Sequence, residues 1–98
     1  MKSIIQSEKK CFLCGREFDY GPDRLEEHHI FFGNPNRRHS EVHGLKVYLC
    51  GNTCHRNGLK SPHKNRAVDI GLKAMAQNVF EETHTREEFQ GIFGRSYL

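Results

Sequence analysis

The chain has 98 residues, of which 36% are hydrophobic and 28% charged, with a formal net charge of +3. This length supports one domain with a thin core, since a chain so short buries only about 60–65% of the surface that it exposes when unfolded. Its apolar runs fall far short of the roughly 18 residues that span a bilayer, which argues against a membrane protein. Small domains of this kind usually need a disulfide, a metal or a partner, and four cysteines and seven histidines are present.

The N-terminal segment, residues 1–10, is polar and mixed in charge, and we expect it to form an arm. It lacks the apolar stretch of a secretory signal peptide, which favours a reducing, cytoplasmic location. In that compartment cysteines serve more often as metal-binding thiolates than as disulfides.

Two close pairs of cysteines predict a structural zinc site. Cys11 and Cys14 form a C-x2-C pair followed by Gly15, which permits a tight turn, and Cys50 and Cys54 form a C-x3-C pair. Four thiolates in two pairs match one tetrahedral Zn²⁺ site, which would contribute much of the folding energy. Free or disulfide-linked cysteines are the alternative.

The segment between the two pairs predicts a β-hairpin. Residues 25–32 have the composition of a strand that continues into a loop, and the turn formers at 33–36 end it. Residues 45–49 predict the second strand, and from Asn52 or Thr53 we expect a short helix. A zinc knuckle at residues 11–15, which we call the knuckle, forms a treble-clef arrangement together with the hairpin and the helix. This arrangement places the chain in the α+β class.

The C-terminal extension, residues 62–98, is predicted to be helical. Ser61 is a good N-cap before a proline at the first helical position, and Thr85 and Glu88 have the spacing of a capping box that opens a second helix. The first helix has apolar residues at helical spacing, at Val68, Leu72, Met75, Ala76, Val79 and Phe80. We expect this tail to pack as core rather than to carry chemistry.

Histidines at the end of the first strand and beside the last cysteine predict a second metal site. Adjacent strand residues point to opposite faces, so one of His28 and His29 can bind a metal while the other stays free. His55 follows the last cysteine at a helix start, where a rotation of about 100° per residue can turn it from the zinc toward the hairpin. With His63 as a third donor, three imidazoles with open positions make a catalytic type of site.

The middle third of the chain is electropositive. From Arg37 to Arg66 there are seven lysines and arginines against one acidic residue, Glu41. Such a surface suits contact with the phosphates of a nucleic acid. The side chains expected to make these contacts are Arg37, Arg38, Arg56, Lys60, Lys64 and Arg66.

Over residues 11–63 the sequence resembles the HNH endonucleases, whose catalytic unit is a ββα-metal fold. The resemblance rests on the two cysteine pairs, on His28-His29-Ile30 and on His55 directly after the last cysteine. The run from His28 to Arg38 is also similar to small HNH proteins encoded by bacteria and their prophages. The resemblance implies a single nuclease domain over residues 1–98, with a zinc-stabilised treble clef, a ββα-metal unit and C-terminal helices.

The resemblance also implies a metal-dependent hydrolysis of DNA phosphodiester bonds. Since the sequence shows no helix-turn-helix or other element that reads bases, we expect low sequence specificity. In most such enzymes the first strand ends in Asp-His-Ile. Here His28 stands at the aspartate position as a ligand of the catalytic metal, and His29 is the general base. His55 and His63 are the further ligands. The catalytic cation is expected to be Mn²⁺, Ni²⁺, Mg²⁺ or Zn²⁺, in addition to the structural Zn²⁺.

One departure from the family pattern concerns the loop before the second strand. The asparagine that supports the base in the family has no counterpart at residues 42–45, so the residue with that task stays unassigned. Two other classes remain open: a non-catalytic zinc-binding module for nucleic acid or protein, and a degenerate nuclease within a larger complex. The module explains the cysteines and basic residues but not the adjacent histidines. We expect His39 and His84 to be surface or hydrogen-bonded residues outside any site.

Overall fold

The computed structural model describes residues 1–17 and 19–98, which form a two-stranded antiparallel sheet surrounded by helices. The elements in chain order are β1 (Leu25–His29), α1 (Asn36–His43), β2 (Lys46–Cys50), a π-helix (Gly51–Arg56), α2 (Arg66–Phe80) and α3 (Arg86–Phe93). The α+β class predicted from the sequence is confirmed. No helix of the described residues is long and apolar enough to cross a membrane.

The register of the sheet determines which side chains share a face. His28 lies opposite Val47, and His29 lies opposite Lys46. Because side chains alternate along a strand, His28 projects from one face together with Glu26, while His29 projects from the other. The two adjacent histidines therefore enter different surroundings.

The connection between the strands differs from the predicted loop, because residues 36–43 form helix α1. Arg37 and Arg38, expected on a loop, lie on this helix. α1 has one buried residue, Ser40, whose hydroxyl donates to the Phe31 carbonyl oxygen at 2.7 Å and accepts from its N–H at 3.0 Å. A polar helix anchored in this way has no apolar stripe, so periodicity could not predict it.

Helix α2 begins later than predicted. Its N-cap is Asn65, whose side-chain oxygen accepts from the Val68 N–H at 3.1 Å, and not Ser61. The hydroxyl of Ser61 instead donates to the carbonyl oxygen of His55 and so closes the turn between the π-helix and α2. The capping box of Thr85 and Glu88 at the start of α3 is confirmed.

The core contains an aromatic cluster between the sheet and the C-terminal helices. The Phe31 ring, just after β1, lies 4.4 Å from the ring of Phe93 and 5.3 Å from that of Phe89, centroid to centroid.

The N-terminal arm lies beside β2, where the Ser3 hydroxyl donates to the Lys46 carbonyl oxygen at 2.6 Å. These contacts hold both ends of the chain against the hairpin.

Replacement of Gly44 by alanine is expected to lower the free energy of unfolding by about 1–3 kcal/mol. Gly44 ends α1 with φ +69°, and a Cβ there would collide with the Lys2 carbonyl oxygen and press on Ile4. The control is Gly71→Ala in α2, where a Cβ would meet nothing within 4 Å and the helix should gain about 0.5–1 kcal/mol. Urea unfolding of both variants measures the difference; equal stabilities would contradict the packing of the arm on Gly44.

Candidate metal centres

Four cysteine side chains meet where the knuckle, the end of β2 and the π-helix come together. Their sulfur atoms all lie within 4.8 Å of one another, as the two cysteine pairs predicted. Cys11, Cys50 and Cys54 are buried and Cys14 is exposed. The Sγ atoms of Cys14 and Cys50 are 3.5 Å apart, far beyond the roughly 2.05 Å of a disulfide bond. None of the four cysteines is joined to another by a disulfide bond.

The surroundings of these thiols favour a bound cation. Burial and the neighbouring thiols raise the pKa of Cys54 to about 11 and also raise that of Cys50. Burial would also raise the pKa of Cys11. Hydrogen bonds from backbone N–H groups outweigh this effect and lower the pKa of Cys11 to about 7. Four thiolates so close together need a compensating positive charge, and a soft tetrahedral donor set of this kind fits Zn²⁺.

The structure also brings His28, His55 and His63 together, from β1, the π-helix and the turn before α2. One ring nitrogen of each lies within 4.8 Å of the others, and the Nε2 atoms of His55 and His63 are 3.2 Å apart. The ring centroids of all three pairs are separated by 5.0–5.1 Å. We call these three residues the histidine cluster.

His28 shows that the histidine cluster suits a metal ion. Its side chain is 1% exposed, and its Nε2 has no hydrogen-bond partner among the described residues. Burial is the main cause that lowers the pKa of His28 from 6.5 to about 3, and the nearby imidazoles of His55 and His63 lower it further. The ring is therefore neutral near pH 7, with a lone pair that a divalent cation could accept.

His29 lies outside the histidine cluster and contacts a carboxylate. Its Nε2 is 2.8 Å from Oε1 of Glu41, a residue of α1. The same carboxylate accepts from the Lys46 Nζ at 2.9 Å. The hydrogen bonds from His29 and Lys46 lower the pKa of Glu41 to about 2. Glu41 thus occupies a position from which it can orient the His29 ring.

Sequence reasoning missed Glu41 as a candidate functional residue. In the sequence Glu41 stands out only as the one acidic residue of a basic segment, and that segment was expected to be a loop. The helical α1 places Glu41 beside His29, a contact across twelve positions that no local spacing signals. His39 and His84 lie apart from the histidine cluster, half-buried against phenylalanine rings.

The six basic side chains predicted to contact phosphates are all exposed. Arg37 and Arg38 lie on α1, and Arg56 is the last residue of the π-helix. Lys60 and Lys64 lie between the π-helix and α2, and Arg66 is the first residue of α2. Arg56 differs from the prediction in one respect, because its Nη1 is 3.0 Å from a carboxylate oxygen of Glu26. That ion pair occupies part of its guanidinium and leaves other donors exposed.

Comparison of the chain with protein-family models, with curated proteins and with solved structures gives no match. The residues of the two candidate metal centres and their contacts therefore indicate the function.

Proposed function

We propose that the protein is a metal-dependent endonuclease of the HNH type, which hydrolyses DNA phosphodiester bonds with low sequence specificity. One observation carries the proposal: the adjacent histidines of β1 diverge. His28 joins two further imidazoles with its lone pair unpartnered, and His29 lies on the other face against a carboxylate. A hydrolytic centre needs both a ligand set and a separate base, and this strand end offers both.

The proposed architecture is a treble clef stabilised by Zn²⁺ at the four cysteines, with a ββα-metal unit built from β1, β2 and the π-helix. Cys54 and His55 are consecutive residues of that π-helix. The helix can thereby contribute one ligand to each centre. A cytoplasmic location, predicted from the sequence, is part of the same proposal.

The chain's own residues supply each part of the proposed phosphodiester hydrolysis. A divalent cation held by His28, His55 and His63 would supply Lewis-acid stabilisation of negative charge on the phosphate. Glu41 accepts from the Nε2–H of His29, which leaves Nδ1 as the basic atom of the ring. Nδ1 takes a proton from the water that attacks phosphorus. As the new P–O bond forms, the bond from phosphorus to the 3′ oxygen breaks, and the leaving oxygen takes a proton from solvent. The exposed lysines and arginines hold the flanking phosphates and keep the strand in place.

Nicking of supercoiled plasmid tests the proposal. We expect cleavage to stop when EDTA is added and to return with Mn²⁺ or Ni²⁺, and less well with Mg²⁺, because imidazole ligands suit transition metals. If the six basic side chains contact phosphates, raising the salt from about 50 to 200 mM should weaken DNA binding roughly 10³-fold.

Since EDTA can also extract zinc from thiolates, the zinc content is measured in each sample. A chain that keeps its zinc but needs a second cation for cleavage supports the proposal. Zinc-loaded protein that binds DNA at low salt and nicks it with none of these metals would instead be the non-catalytic binding module.

A further inference from the structure

Glu26 connects the sheet to the histidine cluster through two charge-assisted contacts. This residue of β1 shares a face with His28. Its Oε1 lies 3.0 Å from Nδ1 of His55, and its Oε2 lies 3.0 Å from Nη1 of Arg56. The two contacts fix both oxygens of the carboxylate.

The backbone makes room for this carboxylate at Gly51. A Cβ at that position would lie 2.9 Å from Cδ of Glu26 and 3.0 Å from the Arg24 carbonyl oxygen. Real Cβ atoms do not approach other carbons so closely, so any larger residue would displace the Glu26 side chain. The Glu26 contact with His55 therefore depends on a glycine at the first position of the π-helix.

The hydrogen bond has a defined consequence for His55. A carboxylate only accepts, so Nδ1 of His55 must carry the proton, and the lone pair of the neutral ring is then at Nε2. Nε2 is the atom that faces His63 in the histidine cluster. Without such a partner the imidazole would exchange tautomers and rotate, and both changes would remove the lone pair from the cluster.

We propose that Glu26 is a positioning residue for the histidine cluster. Its carboxylate fixes the tautomer and the ring direction of His55, and the ion pair with Arg56 holds that carboxylate in place. This role rests on the proposed metal centre and adds to it a residue outside the predicted ligand set. Glu26 contacts neither metal nor substrate; it acts through His55.

The test measures Ni²⁺ affinity by calorimetry on the 98-residue chain whose cysteines are already loaded with zinc. Glu26→Ala is expected to weaken Ni²⁺ binding about 10- to 100-fold. Glu26→Gln keeps an oxygen that accepts from Nδ1–H and should lose clearly less. The control is Glu27→Gln on the opposite face of the same strand, which should bind Ni²⁺ like wild type. Circular dichroism and zinc content establish that each variant is folded.

Gly51→Ala offers an independent route, since it leaves every ligand unchanged but obstructs Glu26. It should weaken Ni²⁺ binding in the wild-type background and weaken it clearly less in the Glu26→Ala background, where only the contact with the Arg24 carbonyl oxygen remains. Nitrogen-15 spectra of the His55 ring give a signature that a purely structural role would not: one tautomer in wild type without Ni²⁺, and a mixture in Glu26→Ala.

The outcomes separate the two proposals. Wild-type protein that binds Ni²⁺ while folded Glu26→Ala binds it equally well overturns the role of Glu26 and leaves the metal centre standing. Equal losses in Glu26→Ala and Glu26→Gln also overturn that role, because charge rather than a positioned acceptor would then matter. Wild-type protein that takes up no Ni²⁺ beyond its cysteines overturns the metal centre and the role of Glu26 together.

Discussion

Cys11→Ala is expected to lose the bound zinc and most of the cooperative unfolding transition. The four sulfurs bring the turn at residues 11–15 together with the end of β2 and the π-helix, and the Cys14–Cys50 contact spans 36 positions of the sequence. Structural zinc contributes about 10–16 kcal/mol in small zinc domains, as much as the total stability of a typical domain of about 5–15 kcal/mol. Metal analysis and thermal unfolding followed by circular dichroism measure both effects.

The matched control for this prediction is Cys14→His. Cys14 is exposed, so an imidazole can be accommodated there, and a set of three cysteines and one histidine is a common zinc site. This variant should retain zinc and a cooperative transition. A Cys11→Ala protein that is zinc-free, stable and fully folded would contradict the structural role of the metal.

His28→Ala and His29→Ala are expected to fail in different ways, although the two residues are neighbours. His28→Ala removes a member of the histidine cluster, so it should weaken binding of the second metal and be partly rescued by a higher metal concentration. His29→Ala should bind metal and DNA almost normally. Its loss should lie in proton transfer, where a positioned base is typically worth about 10²- to 10⁴-fold in rate, and added metal should not restore it.

Two measurements on each variant distinguish the two defects: metal affinity by calorimetry and the rate of single-turnover cleavage. His39→Ala serves as a histidine control outside the cluster. If His29→Ala loses the metal and His28→Ala does not, the roles of ligand and base are reversed. If both variants cleave like wild type, the end of β1 is not the active site.

The sequence predicted the parts of the fold that depend on strong local patterns. The strand containing His28, the capping box at Thr85 and the meeting of the four cysteines follow from strand composition, cap chemistry and ligand spacing. Helix α1 escaped prediction because its one buried residue is a serine, and the start of α2 was misplaced because Ser61 has another partner.

The carboxylates that contact histidines could not be predicted from the sequence. Glu26 reaches His55 across 29 positions, and Glu41 reaches His29 across 12. Such pairs depend on the register of the sheet and on the course of the chain between the strands, which are set by packing. Glu81, for example, has the same local appearance but contacts the exposed Arg86 and the side-chain amide of Gln77.

One peptide bond joins the two proposed metal centres, because Cys54 and His55 are consecutive. Zinc at the sulfurs would fix the π-helix, and that helix holds the His55 ring near His28 and His63. We therefore expect the proposed enzyme to acquire zinc first and the second cation afterwards. In a cell starved of zinc the newly made chain would stay an inert, protease-sensitive precursor, however much manganese or nickel was present.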